Sequence, residues 1–248
     1  MVFAIPIHGI GEVRPGDALA ELILAALAGN RMEFVQGDIL VVTHKIVSKA
    51  EGRVVALDCV RPSAQARRWA RAYHLDPRVV QLALDESVRV VRKGHGVLIT
   101  ETRHGFICAN SGVDVSNVDG GRSAVLLPRD PDRSARRLYR SLKLRLGFPV
   151  PVIISDTWGR PWREGLVEFA IGIAGMKACR DFRRCRDPHG YRLRVTLEAV
   201  GDELAAMAGL ACGKLARAPA CIVRGFGYVL GSGRARDLLR SPERDLFR

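Results

Sequence analysis

Apolar and polar positions along the chain divide it into alternating stretches of helical and strand character. Residues 17–28 place Leu19, Leu22, Ile23, Ala26 and Leu27 on one helical face, with Gly29 as the stop. The short run Asp38-Ile39-Leu40-Val41-Val42-Thr43 reads as a buried strand, and residues 54–57 as a second. Residues 62–74 and 77–84 read as helices with proline near the first turn. Strands are expected over 87–92, 97–100 and 105–109, the last two joined by a turn at Arg103-His104-Gly105. Residues 132–146 form a helix with arginines on one side and Ala135, Leu138, Leu142 and Leu146 on the other. The run 151–155 reads as a strand ending at the polar tip Asp156-Thr157. A strand over 192–197, a helix over 198–210 and a short strand over 220–223 complete the pattern. Strands and helices mix without strict alternation, which favours an α+β fold over a doubly wound sheet.

Composition narrows the class. The 248 residues are 48% hydrophobic and 26% charged, which excludes a disordered chain, and no apolar run is long enough to span a bilayer. The N-terminus lacks a basic region followed by a long apolar one, so a cytoplasmic protein with no membrane partner is expected. None of Cys59, Cys108, Cys179, Cys185, Cys212 and Cys221 forms a C-x-x-C pair or sits at zinc-finger spacing from a histidine. Reduced thiols follow.

The net charge of +13 raises the prospect of an anionic partner. Nearly all of the excess is arginine; lysine occurs only at Lys45, Lys49, Lys93, Lys143, Lys177 and Lys214. Such a bias reads as compositional. Aromatic residues make up only 6% and do not interleave with the basic ones, which argues against a nucleic-acid stacking platform.

Three segments could carry chemistry. The first, 43–53, follows a buried strand and holds two of the lysines, whose compact charge suits phosphate oxygens; the bland alternative is a polar loop. The second, 108–121, is dense in small and oxygen-bearing residues, with Asp114, Ser116 and Asn117 among them; the alternative is a long capped turn. In the third, 153–165, a β-branched run delivers Ser155-Asp156-Thr157 to a strand tip. A carboxylate beside a hydroxyl there suits Mg²⁺, and the alternative is an N-cap before a turn. Trp158 and Trp162 are expected to pack. No P-loop, dinucleotide-binding glycine motif, G-x-S-x-G or H-E-x-x-H occurs.

Together these segments resemble the coenzyme F420-0:L-glutamate ligase family, also called the F420-0 gamma-glutamyl ligases. The resemblance begins at Pro6-Ile7-His8-Gly9-Ile10-Gly11-Glu12 and Pro15-Gly16-Asp17. It runs through Lys45-Ile46-Val47-Ser48-Lys49-Ala50-Glu51-Gly52-Arg53 and His104-Gly105-Phe106-Ile107-Cys108-Ala109-Asn110-Ser111-Gly112-Val113-Asp114 with Ser116-Asn117. It continues in Ser155-Asp156-Thr157-Trp158-Gly159-Arg160-Pro161-Trp162-Arg163-Glu164-Gly165, Asp202-Glu203-Leu204-Ala205 and Ile222-Val223-Arg224-Gly225, and closes at Asp245-Leu246-Phe247-Arg248. The order and number of the motifs make it specific.

The resemblance implies an α+β fold over the whole of 1–248, as one unit of two interleaved subdomains, assembled as a homodimer. It implies a GTP- and metal-dependent ligase joining L-glutamate to F420-0, with further γ-linked glutamates as an extension. GTP would lie against Ile10, Gly11, Glu12, Val13, His44, Lys45, Lys49 and Asn117. Mg²⁺ or Mn²⁺ would be held by Asp114, Asp156 and Thr157, with Lys49 and Asp156 carrying the chemistry and a monovalent cation such as K⁺ as a further activator. The chain departs from the family pattern twice. Gly9-Ile10-Gly11 stands where many members have Gly-Leu-Pro. Lys214 follows Gly213 where many archaeal members carry a metal-binding Gln or Glu, and its ammonium is expected to face phosphate. Two other readings stay open: a related nucleotide-dependent amide ligase acting on another carboxylate, and a basic nucleic-acid-binding module.

Overall fold

The computed structural model describes residues 1–116 and 118–246; Asn117 and the closing Phe247 and Arg248 lie outside the described residues. In chain order the strands are β1 (Phe3–Ile7), β2 (Ile39–Thr43), β3 (Val54–Ala56), β4 (Ser87–Gly94), β5 (Val97–Thr102), β6 (Ile107–Ala109), β7 (Ser123–Val125), β8 (Val152–Arg160), β9 (Arg163–Ala174), β10 (Arg180–Asp181), β11 (Leu197–Glu198) and β12 (Ala220–Arg224). The helices are α1 (Leu19–Gly29), α2 (His44–Ala50), α3 (Ala64–Tyr73), α4 (Pro77–Asp85), α5 (Pro131–Leu146) and α6 (Val200–Cys212). The α+β expectation holds.

The central sheet has the order β1-β12-β2-β8-β9. β2 and β8 run parallel, and the other neighbouring pairs are antiparallel. Ile39–Val42 and Val152–Ser155 are buried throughout, as β-branched runs at the middle of a covered sheet should be. Helices α5 and α6 pack against this sheet. α5 starts on an Asp130 side chain that accepts the Arg133 N–H at 2.8 Å, has Pro131 in its first turn, and stops at Gly147 in the left-handed region. Its N-terminus lies so close to β9 that a Cβ on Gly172 would fall 2.4 Å from the Pro131 carbonyl oxygen.

The main core draws on residues from Ile7 to Val47 and from Leu127 to Ala235, with Phe106 added. The intervening stretch builds two smaller cores. One gathers Ala66, Ala70, Val80, Ala83 and Leu98; the other gathers Leu57, Leu82, Ala124 and Leu126. The β4-β5-β6 sheet and the β3-β7 pair belong to this stretch.

Four features differ from the sequence reading. Phe-Ala-Ile-Pro-Ile forms the edge strand β1, where Pro6 is tolerated. Residues 44–50 are a helix, so β2 passes into α2 without a loop. β8 does not end at Asp156. It runs on to Arg160, turns, and returns as the long β9, because Thr157–Trp158 find ladder partners in Val167 and Glu168. The expected strand over 192–197 shrinks to Leu197–Glu198 and one bridge between Arg186 and Arg192. Of the two tryptophans in 153–165, Trp158 packs between Phe106 and Phe169 at 5.4 and 5.6 Å between ring centroids. Trp162 is 81% exposed at the hairpin turn, with φ +59°.

Candidate active site

The parallel register aligns Thr43 with Ser155. One residue further on, His44 opens α2 beside Asp156, where β8 continues. His44 Nε2 lies 3.3 Å from Asp156 Oδ1, and both side chains are largely buried. The imidazole Nδ1 sits 3.4 Å from Ser48 Oγ one turn along α2. The contact to Asp156 is close but not aligned as a hydrogen bond, so Nε2 is a buried nitrogen left without one. Asp156 Oδ1 accepts the Thr157 N–H at 2.7 Å and Oδ2 accepts the Trp158 indole N–H at 2.6 Å. Burial pushes this carboxyl up. The electrostatic pull of His44, with the hydrogen bonds from Trp158 and Thr157, more than offsets it and holds the group below the usual carboxylate range.

The second carboxylate is Asp114, fixed where its backbone bridges Val125. Its Oδ2 lies 2.7 Å from Lys45 Nζ, and its Oδ1 accepts the Ser116 N–H at 2.6 Å. Burial again raises the pKa, and the hydrogen bonds from Lys45 and Ser116 bring it below the ordinary value. Lys45 Nζ also donates to Ser116 Oγ at 2.8 Å and to the Ser116 carbonyl. One turn along α2, Lys49 Nζ reaches Glu12 Oε1 at 2.5 Å; that glutamate is 74% exposed.

Thr157 completes the row. Its hydroxyl donates to Glu168 Oε1 at 2.5 Å and accepts from Lys214 Nζ at 2.5 Å, while Lys214 also reaches Glu168 at 2.8 Å. The nearby Cys108 thiol is no nucleophile: burial, with the Asp156 charge beside it, pushes its pKa up to about 12.

The residues singled out in the sequence therefore fall into linked groups around α2 and the adjoining part of β8: Glu12 with Lys49, Lys45 with Asp114, His44 with Asp156, and Thr157 with Lys214. Ile10 packs against the main core and Val13 is 4% exposed inside it, so Val13 offers a ligand only its backbone. Gly11 has open space around its Cα. Asn117 lies outside the described residues. Glu168 was not singled out, although a lone acid inside the apolar run Leu166-Val167-Glu168-Phe169-Ala170 is a signal the sequence carries.

The donors offered to a cation are the oxygens of Asp114, Asp156 and Thr157, which match a hard divalent ion. Among the described residues no three or more His, Cys, Asp or Glu side chains lie together as a metal-binding group. An ion bound through one or two carboxylates and substrate phosphates needs no such cluster. Among the described residues no helix is long and apolar enough to cross a membrane.

Comparison with known proteins matches residues 9–225 to the family model described as F420-0:Gamma-glutamyl ligase. The chain is 44% identical over 247 residues to the coenzyme F420:L-glutamate ligase of Methanothermobacter thermautotrophicus, covering 98% of each chain. It is 46% identical over 242 residues to the protein of that name from Methanopyrus kandleri, covering 96% of this chain and 94% of the relative. It is 41% identical over 244 residues to that of Archaeoglobus fulgidus, covering 98% and 95%.

Proposed function

The chain belongs to the F420-0:gamma-glutamyl ligase family, and from that premise we propose that it is an acid–amino-acid ligase that joins L-glutamate to F420-0 at the expense of GTP. The observation that carries the reading is the set of pairs His44–Asp156, Lys45–Asp114 and Thr157–Lys214 around the start of α2 and the adjoining part of β8. Paired lysines and carboxylates side by side suit a ligand of both signs, a polyphosphate with its cation.

A free carboxylate is a poor acyl donor. Transfer of the γ-phosphoryl group of GTP to a carboxylate oxygen of F420-0 breaks the β–γ bridging bond and gives an acyl phosphate and GDP. The glutamate amine then attacks the acyl carbon, phosphate leaves with the C–O bonding pair, and the amine loses its proton. Such a transfer needs alignment and charge neutralisation more than covalent help.

The residues divide these tasks. Lys45 and Lys49 exchange their carboxylate partners for phosphate oxygens. Asp114, Asp156 and Thr157 would hold Mg²⁺ or Mn²⁺, which supplies charge neutralisation at the phosphates. Released from Lys45, Asp114 gains a cation as the lysine gains an anion, so neither charge is left unpaired. The loop carrying Ile10, Gly11, Glu12 and Val13, which Glu12 ties to Lys49 before the nucleotide arrives, would then face the nucleotide through its backbone. Lys214 faces the phosphates from the Thr157 side. The reading extends to two interleaved subdomains, a homodimer, a cytoplasmic location and K⁺ as a further activator.

The test is direct. The purified chain is incubated with GTP, Mg²⁺ or Mn²⁺, F420-0 and L-glutamate, and followed by phosphate release and product mass. Phosphate released together with a glutamyl mass gain is the expected result. Folded protein that yields no glutamyl product rejects the proposal.

A further inference from the structure

Glu168 belongs to none of the groups the motifs mark, yet its carboxylate touches both members of one of them, Thr157 and Lys214. It stands on β9 in register with Thr157 of β8, and its side chain is only 11% exposed. Oε1 accepts both the Thr157 hydroxyl at 2.5 Å and the Lys214 ammonium at 2.8 Å. Lys214 closes the triangle by donating to Thr157 Oγ1, although 65% of its own side chain is exposed. A long, mobile side chain is thus held at its tip and free along its stem.

Two elements hold Glu168 itself. The hairpin register sets its strand position beside Thr157. Helix α6 supplies Gly209, where a Cβ would fall 2.4 Å from Glu168 Cγ. Glycine inside a helix is less favourable than alanine, and here it opens the passage through which the glutamate stem reaches the site.

The geometry points to Glu168 as a positioning residue of the phosphoryl-transfer site: it holds the Lys214 ammonium and the Thr157 hydroxyl in one arrangement beside Asp156. The inference rests on the function proposed above. A lysine head has several rotatable bonds to spend, and a charge stabilises a transition state best when it is already aimed. Without Glu168 the ammonium keeps its attraction for an anion and loses its aim. The nucleotide therefore still binds, and the chemical step slows.

Glu168→Ala is expected to lower kcat by about 10- to 100-fold, the range for residues that orient a directly contacting group. The KM for GTP changes little, and calorimetry finds affinity for a non-hydrolysable GTP analogue retained. Gly209→Ala keeps the carboxylate but drives its stem aside, and lowers kcat in the same direction. In a Lys214→Met background, Glu168→Ala lowers kcat by distinctly less than in the parent, because only the Thr157 hydroxyl is left for Glu168 to hold. If Glu168→Ala melts without cooperativity, Glu168→Gln carries the same comparison, because its amide oxygen still accepts from Thr157 but holds an ammonium weakly. A kcat loss that is equally large in the Lys214→Met background, or a raised KM with unchanged kcat, overturns the inference. A parent protein that forms no glutamyl product overturns the functional proposal and this inference together. An active parent whose Glu168 variants match it overturns this inference alone.

Discussion

His44, the first residue of α2, and Asp156, inside β8, stand one residue beyond the last β2–β8 ladder pair, and their side chains meet with Nε2 3.3 Å from Oδ1. Neither strand alone makes the pair. It exists because β2 and β8 run in the same direction and in register, so the residue that follows Thr43 comes level with the residue that follows Ser155. Asp156→Asn keeps the size but removes the negative charge, and its single amide oxygen can accept from only one of the Thr157 N–H and the Trp158 indole N–H. It is expected to reduce glutamyl transfer by about a hundred- to a thousandfold. His44→Gln removes only the group beside that carboxylate, and a loss of about 10- to 100-fold is expected. Steady-state rates, with far-ultraviolet circular dichroism to check the fold, separate the two. An Asp156→Asn protein that keeps the parent rate excludes that carboxylate from the chemistry.

Lys45 and Asp114 form an ion pair that a bound nucleotide and its cation would split between them. Lys45→Met leaves Asp114 without its cation. Affinity for Mn²⁺ alone should then rise, while affinity for the GTP analogue falls, because the vacated charge favoured one ligand and opposed the other. Calorimetric titration with each ligand reads both signs. Parallel losses in both affinities would show that Lys45 supports the site only as a structural strut.

A different ion pair serves the fold. Asp38 has no exposed surface, and the Arg224 fork grips both its oxygens at 2.8 Å, with the Val35 N–H donating to Oδ2 as well. Arg224 also reaches the Glu33 carbonyl. Removing the arginine leaves a buried carboxylate without its cation. Arg224→Ala should therefore lower unfolding stability by about 2–4 kcal/mol, at or below the usual range for breaking a buried pair because Arg224 itself is partly exposed. Arg224→Lys should recover only part of this, since a point charge cannot span both oxygens. Urea denaturation measures both.

Much of the site's membership was legible in the chain, and its wiring was not. Ile39–Thr43 and Val152–Ser155 announce themselves as buried strands, and the polar residues just beyond them, His44, Lys45, Asp156 and Thr157, stand out by contrast. Nothing local says that these two strands are parallel neighbours, for that choice is made by helices and strands distant in sequence. The same holds for β1, whose five residues carry a proline and depend on β12 for pairing. β9 escaped because Gly165 and Glu168 interrupt the apolar run that would mark it, and Glu168 escaped with it. Its meaning appears only when the hairpin register sets it beside Thr157.

Asp202 gives a test of packing by pH. Its carboxyl accepts the Ala170 N–H at 2.9 Å and joins the start of α6 to β9. Burial raises its pKa above the ordinary carboxylate value; the Ala170 hydrogen bond offsets part of the shift, and Glu203 adds to it. A carboxyl with a folded pKa above its unfolded one binds protons more readily in the native state. Its ionised form therefore opposes folding above the folded pKa, and that opposition fades as the pH falls toward the unfolded value. Asp202→Asn keeps an oxygen to accept the N–H and never ionises. Its amide nitrogen adds a cost of its own, but that cost does not vary with pH. The stability of the variant relative to the parent should thus be most favourable at neutral pH and should decline as the solution is acidified through the raised pKa. Urea midpoints for both proteins at several pH values between neutrality and the ordinary carboxylate range supply the comparison. A difference that stays flat, or that grows on acidification, would show that the ionised carboxylate is not opposed by its burial.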